Sequence, residues 1–273
     1  MVKLKDESFV EKVLYRLVKR HVSGTTMSSA LEKAKELNKK GMPVSITFLS
    51  GGAGSRSKSK YITSTYQELA RQISRLGIRA GIQVPLAQMG PESDRGAMGG
   101  NLSSIIATGN KYGVFVWAEA SDVSDCDFKG FDGCRGFGYA VPSSQISSFA
   151  KAHRGAKALK VVFADSEDAG EADKIARQLG SLPKNCTTVL LSPPDAVARK
   201  VLGSGRPGRQ ILEYKFGESG KGMKRALKRG AKVSVYLPFG KDWQAYAMNK
   251  VPEGYTRFLA GKLLGERSGH GGI

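Results

Sequence analysis

The sequence is poor in the residues that build metal and disulfide sites. Its 273 residues include three cysteines, three histidines and two tryptophans. Cys126, Cys134 and Cys186 have no CxxC spacing, so reduced thiols in a cytoplasm are expected and a disulfide framework is not. None of His21, His153 and His270 falls at the end of a β-type run, which argues against a histidine-rich metal centre. No apolar run reaches the ~18 residues that mark a membrane span, and no signal-peptide pattern opens the chain. A cytoplasmic protein is expected, at most peripheral on the inner face of the cell membrane. No Pro/Gly/Ser linker splits the chain, so one domain is expected over residues 1–264, with N-terminal helices within 8–40 and a disordered tail at 265–273.

Acidic residues are also scarce. Lys and Arg number 43 against 24 Asp and Glu, a net charge of +19. Such a charge attracts polyanions, phosphate-bearing ligands or an acidic membrane surface. The cations are dispersed over most helical stretches and form no basic–aromatic run, so specific nucleic-acid binding is not expected. Residues 8–22 read as an amphipathic helix with Ser8 and Glu11 as a capping box. Its apolar face suits packing against the body of the protein, and its basic face suits a membrane surface.

What the chain does have is repetition. Eight short runs rich in Val, Ile, Leu, Tyr or Phe recur: Pro43–Leu49, Ala80–Leu86, Val114–Ala118, Gly136–Val141, Leu159–Ala164, Thr187–Leu191, Gln210–Phe216 and Lys232–Leu237. Short apolar runs bounded by Gly, Pro, Ser or charge are how strands buried on both faces read. Helical stretches follow at about 62–76, 99–111, 143–154, 167–179, 193–202, 220–229 and 242–264, and one at 28–39 precedes the first run. The fold class is therefore α/β, a (β/α)8 TIM-type barrel with extra N-terminal helices. The Asp/Gly-rich segment between Ala118 and Gly136 lacks a helical pattern, so the third unit is expected to be irregular. Ligand sites in such a barrel lie where the strands end.

Several strand ends carry chemistry. Residues 51–60 (GGAGSRSKSK) read as a flexible basic loop. Gly217 opens a turn ahead of a helix whose first turns hold Lys221 and Lys224, a pattern suited to phosphate. The spacing is not that of a Walker A loop. The GxGxxG match at 203–208 precedes a strand and is read as a loop. Glu119 and Asp122, then Asp165, Glu167 and Asp168, follow two strands and are candidates for bases, metal ligands or helix caps. Glu213 and Lys215 share one face of the seventh strand, where they are expected to pair if that face points inward. A lyase or isomerase using either residue, with phosphate at the seventh loop, is one functional reading.

A second reading comes from residues 235–254, VYLPFGKDWQAYAMNKVPEG. Tyr236, Pro238, Gly240, Trp243, Tyr246 and Glu253 fall in register with the C-terminal signature of the proline dehydrogenase family. GMPVSITFL (41–49), IQVPLAQMG (82–90), VFVWAEASD (114–122) and ILEYKFG (211–217) resemble further strands of that family, in the same order. The chain thus resembles a divergent, archaeal-type member. The resemblance implies FAD as cofactor, a small imino or amino acid as substrate, and quinone as electron acceptor. By that resemblance Glu119, Tyr246 and Lys250 are the catalytic candidates. Tyr139, Asn249 and Glu253 are the substrate-binding candidates, and Gln88, Glu213, Gly217 and Lys221 the cofactor-binding ones. No metal is implied.

Many family positions have changed. The paired arginines that clamp the substrate carboxylate correspond to Asn249 and Lys250. Two family lysines correspond to Phe163 and Pro85, and a glutamine and a histidine that face the flavin correspond to Phe137 and Pro193. A bidentate guanidinium clamp is not reproduced by an amide and a point charge. A rebuilt flavoenzyme and a non-catalytic barrel that binds a ligand or partner are therefore both open.

Overall fold

The computed structural model describes residues 21–91, 93–125, 129–132, 134–164, 171–203, 209–218, 220–243 and 246. Eight parallel strands close on themselves in sequence order. They are β1 Val44–Phe48, β2 Ala80–Pro85, β3 Val116–Glu119, β4 Phe137–Pro142, β5 Ala158–Val162, β6 Thr187–Leu191, β7 Gln210–Lys215 and β8 Lys232–Phe239. Each lies within two or three residues of its expected position. Helix α1 (Met27–Lys39) precedes the barrel. Helices α2 (Arg56–Arg75), α3 (Arg95–Tyr112), α4 (Ile146–Ala152), α5 (Ala172–Gly180), α6 (Asp195–Gly203) and α7 (Gly220–Lys228) follow β1, β2, β4, β5, β6 and β7. Among the described residues β3 is followed only by the 3-10 turns Val123–Asp125 and Lys129–Phe131, in line with the irregular third unit. The N-terminal helix expected at 8–22 and most of the one at 242–264 lie outside the described residues.

The basic segment 51–60 differs from its reading as a loop, because α2 begins inside it. The Ser55 hydroxyl accepts the Lys58 amide at 3.2 Å as an N-cap. Buried Ile62, Tyr66, Leu69, Ala70 and Ile73 then anchor one face of the helix. Arg56 consequently lies in the first turn, where it bonds Asp94 at 2.7 Å, and Asp94 itself caps α3 through the Ala97 amide.

Strand alternation sends one set of side chains outward and the other inward. The outward set includes Ile46, Ile82, Val116, Leu159, Leu190 and Leu212, all fully buried in the layer between sheet and helices. The inward set differs in its lower and upper halves. Near the strand N-termini Trp117, Ala158 and Val189 form a small apolar layer with Phe115 and Ile211. Above it the inward residues are mostly polar. Gly138 makes the lower layer possible: a Cβ there would sit 2.7 Å from the Trp117 ring and 2.8 Å from the Ala158 methyl. Gly138→Val should therefore overpack the barrel and lower its unfolding free energy by roughly 1–3 kcal/mol, measurable as a reduced urea midpoint with unchanged slope.

Candidate functional site

The centre of the barrel is organised by a lysine that the sequence reading did not single out. Lys160 of β5 is fully buried. Its ammonium donates to the Ser45 hydroxyl of β1 at 2.7 Å and to the Gln83 Oε1 of β2 at 2.8 Å. It pairs with Glu213 Oε2 of β7 at 2.6 Å and lies 4.9 Å from the Trp117 ring centroid of β3. A lysine ammonium has three protons; two are donated to Ser45 and Gln83, and Glu213 balances the charge as an ion pair. The other Glu213 oxygen accepts from the Ser234 hydroxyl of β8 at 3.2 Å. Burial lowers the Lys160 pKa, and the Glu213 carboxylate opposes that shift. The partner expected for Glu213 was Lys215. The structure replaces it with Lys160, because Lys215 sits one pleat nearer the mouth, with its ammonium 4.0 Å from Glu218. A lone lysine among Leu159, Val161 and Val162 was the available signal, since a cation at an interior strand position must find an acid.

The network continues towards the strand C-termini. Gln83 Nε2 donates to Glu119 Oε2 at 2.9 Å, so one amide links the ammonium to the carboxylate at the end of β3. Glu119 is partly accessible from the mouth, yet packed deeply enough that burial raises its pKa. The Gln83 hydrogen bond and the Lys160 charge oppose that rise. Tyr236 of β8 joins it: burial holds this phenol well above its ordinary value, and the charge of Glu119 and the neighbouring Tyr246 add to that. Lys215 is close enough for its charge to act on Glu119 in the opposite sense. Glu119, Tyr236, Tyr246 and Lys215 thus share the mouth, and Tyr246 also packs with Leu49, Val22 and Trp243.

The other candidates lie elsewhere. Tyr139 points out of the barrel into the helix layer. There its hydroxyl bonds Asp132 at 2.9 Å and its ring packs on Phe149 and His153. Strand parity is the cause: Gly138 and Ala140 take the inward positions of β4. Gln88 ties chain segments together, with Nε2 on the Phe48 carbonyl at 3.0 Å and Oε1 accepting from Tyr66 at 3.2 Å. Gly217, at φ 81°, makes the turn before α7, and Lys221 is exposed on that helix. In the same turn Glu218 accepts from the Ser192 hydroxyl at 2.9 Å and from the Lys215 amide at 3.2 Å. Ser192 carries the one positive φ of a non-glycine residue among the described residues, a local strain at the end of β6. Asp122 is exposed and holds the Ser124 amide and the Gln145 side chain. Phe137 and Phe163 face the helices. Asn249, Lys250, Glu253, Asp165, Glu167 and Asp168 lie outside the described residues.

Two of the residues that the sequence reading assigned to a flavin are taken up within the chain. A flavin's ring edge needs free hydrogen-bonding side chains, whereas Gln88 is bonded at both ends of its amide and Glu213 pairs with Lys160 and accepts from Ser234. The flavin's pyrophosphate needs free donors at the β7 turn, where the Glu218 carboxylate already takes the Lys215 amide and the Ser192 hydroxyl. Among the described residues no cluster of His, Cys, Asp and Glu is arranged for a metal.

A closed parallel barrel with its polar side chains gathered towards the strand C-termini belongs to the TIM-type α/β class. Comparison with known proteins narrows the class. The chain is 20% identical over 263 aligned residues to proline dehydrogenase 1 of Bacillus subtilis strain 168, covering 86% of each chain. It is 23% identical over 277 to proline dehydrogenase of Deinococcus radiodurans, covering 90% of this chain and 89% of the relative. Among solved structures, proline utilization A of Bdellovibrio bacteriovorus superposes with a TM-score of 0.73 at 13% identity over 90% of this chain. The enzyme of Corynebacterium freiburgense does so with 0.65 at 12% identity over 93%. This chain spans 33% of each of those two longer proteins, and at such identities they show the fold alone. No family model matches the chain. Along most of its length the chain is thus similar to curated proline dehydrogenases.

Two outcomes follow from the interior network. Lys160→Met strands the Glu213 carboxylate in an apolar interior and should cost roughly 3–5 kcal/mol in urea unfolding. The double change Lys160→Met with Glu213→Leu should recover most of that loss, and equal instability of the two variants would contradict the pairing. Glu119 gives a pH signature. Its raised folded-state pKa means the fold favours the protonated acid, a contribution present below the unfolded value and lost as pH rises through the folded one. Glu119→Gln should therefore gain melting temperature relative to the wild type as pH rises from about 4 towards 7, and parallel melting curves would count against it.

Proposed function

We propose that this protein is a proline dehydrogenase-like barrel that binds a small amino or imino acid at its C-terminal mouth, without the flavin chemistry of its relatives. The observation that carries the reading is the pairing inside the barrel. Lys160, Glu213, Gln83 and Gln88 are all engaged by the chain itself, whereas among the described residues Glu119 faces the mouth with Gln83 alone bonded to one of its oxygens. An amino or imino acid near neutral pH is a zwitterion, with an ammonium and a carboxylate a few bonds apart. Glu119 suits the ammonium and Lys215 the carboxylate, with the Tyr236 ring beside them. Both charges sit on rigid strands, which holds their separation constant and selects for ligand length. Burial strengthens each contact relative to water.

FAD-dependent oxidation of L-proline to pyrroline-5-carboxylate is the second reading, favoured by the similarity along the whole chain to curated proline dehydrogenases. Under it electrons pass to quinone, and the basic surface brings the protein to an acidic membrane. Among the described residues no helix is long and apolar enough to cross a membrane.

Calorimetry with L-proline and with cyclopentanecarboxylate, which lacks the amine, tests the first reading. L-Proline should bind and the amine-free acid should not. Glu119→Gln and Lys215→Met should each weaken L-proline by roughly ten-fold or more, a loss of about 1.4 kcal/mol. Equal binding of the two acids would remove Glu119 from the site. An absorbance spectrum of the purified protein after incubation with FAD decides the second reading: retained near-ultraviolet and blue flavin bands, with L-proline-dependent bleaching, would establish it over the first.

A further inference from the structure

The opposite end of the barrel holds a chamber that the reading above does not use. A cavity of about 890 Å³ opens at the strand N-termini, within the roughly 300–1,000 Å³ typical of small-molecule sites. Barrels of this class usually fill that space with bulky branched side chains. Here the inward positions at this level include Gly81 of β2 and Ala158 of β5, which line the cavity and leave it open. Its wall is apolar, with Phe115, Trp117, Val189 and Ile211 along the inner face and Leu227 at the rim. Leu227 is one of only two large hydrophobic side chains strongly exposed among the described residues, at 47%.

The rim has the opposite character. Lys40, Arg135 and Lys157, from the segments leading into β1, β4 and β5, and Lys232 at the start of β8 are all exposed and border the opening. Glu213 is the one acid lining the cavity among the described residues, and it sits at the roof with its charge bound to Lys160 and Ser234. The described residues at the entrance therefore set a positive field.

We propose that this chamber binds an amphipathic anion, an unbranched apolar body of fatty-acid size that ends in a carboxylate. The apolar body lies along Trp117, Val189 and Ile211, and the carboxylate stays at the rim in the combined field of Lys40, Arg135, Lys157 and Lys232. Apolar burial supplies the affinity, and the rim cations choose the sign of the head group and speed its approach.

The molecule carries its own reporter. Its two tryptophans are Trp117, in the chamber wall, and Trp243, at the other end of the barrel. In a Trp243→Phe variant of the full chain, titration with laurate below its micelle concentration should change Trp117 fluorescence saturably. Dodecyltrimethylammonium, with the same body and a positive head, should not. Reversing the rim with Lys40→Glu, Arg135→Glu and Lys157→Glu together should weaken laurate by roughly ten-fold or more, while circular dichroism confirms that the exposed changes leave the fold intact. The proposal is overturned if laurate gives no response, if both amphiphiles bind alike, or if rim reversal leaves laurate affinity unchanged. It is also overturned if a response appears only after residues 265–273 are deleted, because the chain's own tail is then the occupant. None of these readouts involves Glu119 or L-proline, so the outcome is independent of the function proposed for the mouth.

Discussion

A buried ammonium must be compensated from all sides, and the Lys160 ammonium organises this barrel. Desolvating a cation costs several kcal/mol, which its partners recover only with good geometry. Here they come from β1, β2 and β7, so one side chain of β5 couples strands on opposite sides of the barrel. Ser234 on the far oxygen of Glu213 extends the layer to β8. A network of this kind is sensitive to partial loss, because each member left alone in a low dielectric is destabilising. Hydrophobic packing is forgiving of shape, whereas this layer fixes register: a one-residue slip of β5 would turn Lys160 into the helix layer.

That layer divides the lumen in two. Above it, Gln83 transmits the arrangement to Glu119, since its amide can donate upward only while its carbonyl oxygen accepts from Lys160. Glu119 is therefore oriented by a cation it does not touch. Below it, the side chains shrink to Gly81 and Ala158 around Trp117, and space opens to solvent through a basic rim. The Trp117 ring lies under the ammonium as a neutral floor, a contact that suits a cation without adding a charge.

Much of the fold was legible because strands buried on both faces write themselves as short apolar runs, and all eight lie where those runs predict. The irregular third unit was legible too, from Asp and Gly between Ala118 and Gly136. The lumen was harder to read. Continuous apolar runs hide which residues point inward, since both parities are hydrophobic, and this is why Tyr139 was expected in the site yet packs on His153. Lys160 carried a readable signal, a cation in the middle of such a run, but its partner Glu213 lies 53 positions away in sequence, and only closure of the barrel brings them together. Gln88 shows the converse: its family resemblance says nothing about the Phe48 carbonyl and Tyr66 hydroxyl that engage it. The basic segment 51–60 was misread because charge is a property of composition, whereas the Ser55 cap and the spacing from Ile62 to Ile73 decide its conformation.

Similarity to a catalytic family and possession of its chemistry rest on different residues. Fold similarity needs only the apolar alternation and the turns, and these survive at identities near 20%. Chemistry needs particular polar atoms left unsatisfied by the protein and aimed at a ligand. In this lumen such atoms are few, because the chain has turned most of its interior polarity on itself. Charge stands towards solvent at the two ends, Glu119 at the upper mouth and the cations around the lower rim. Both follow from the same central constraint: an ion-pair layer across the lumen uses up the polar groups of its middle and leaves charge at either end.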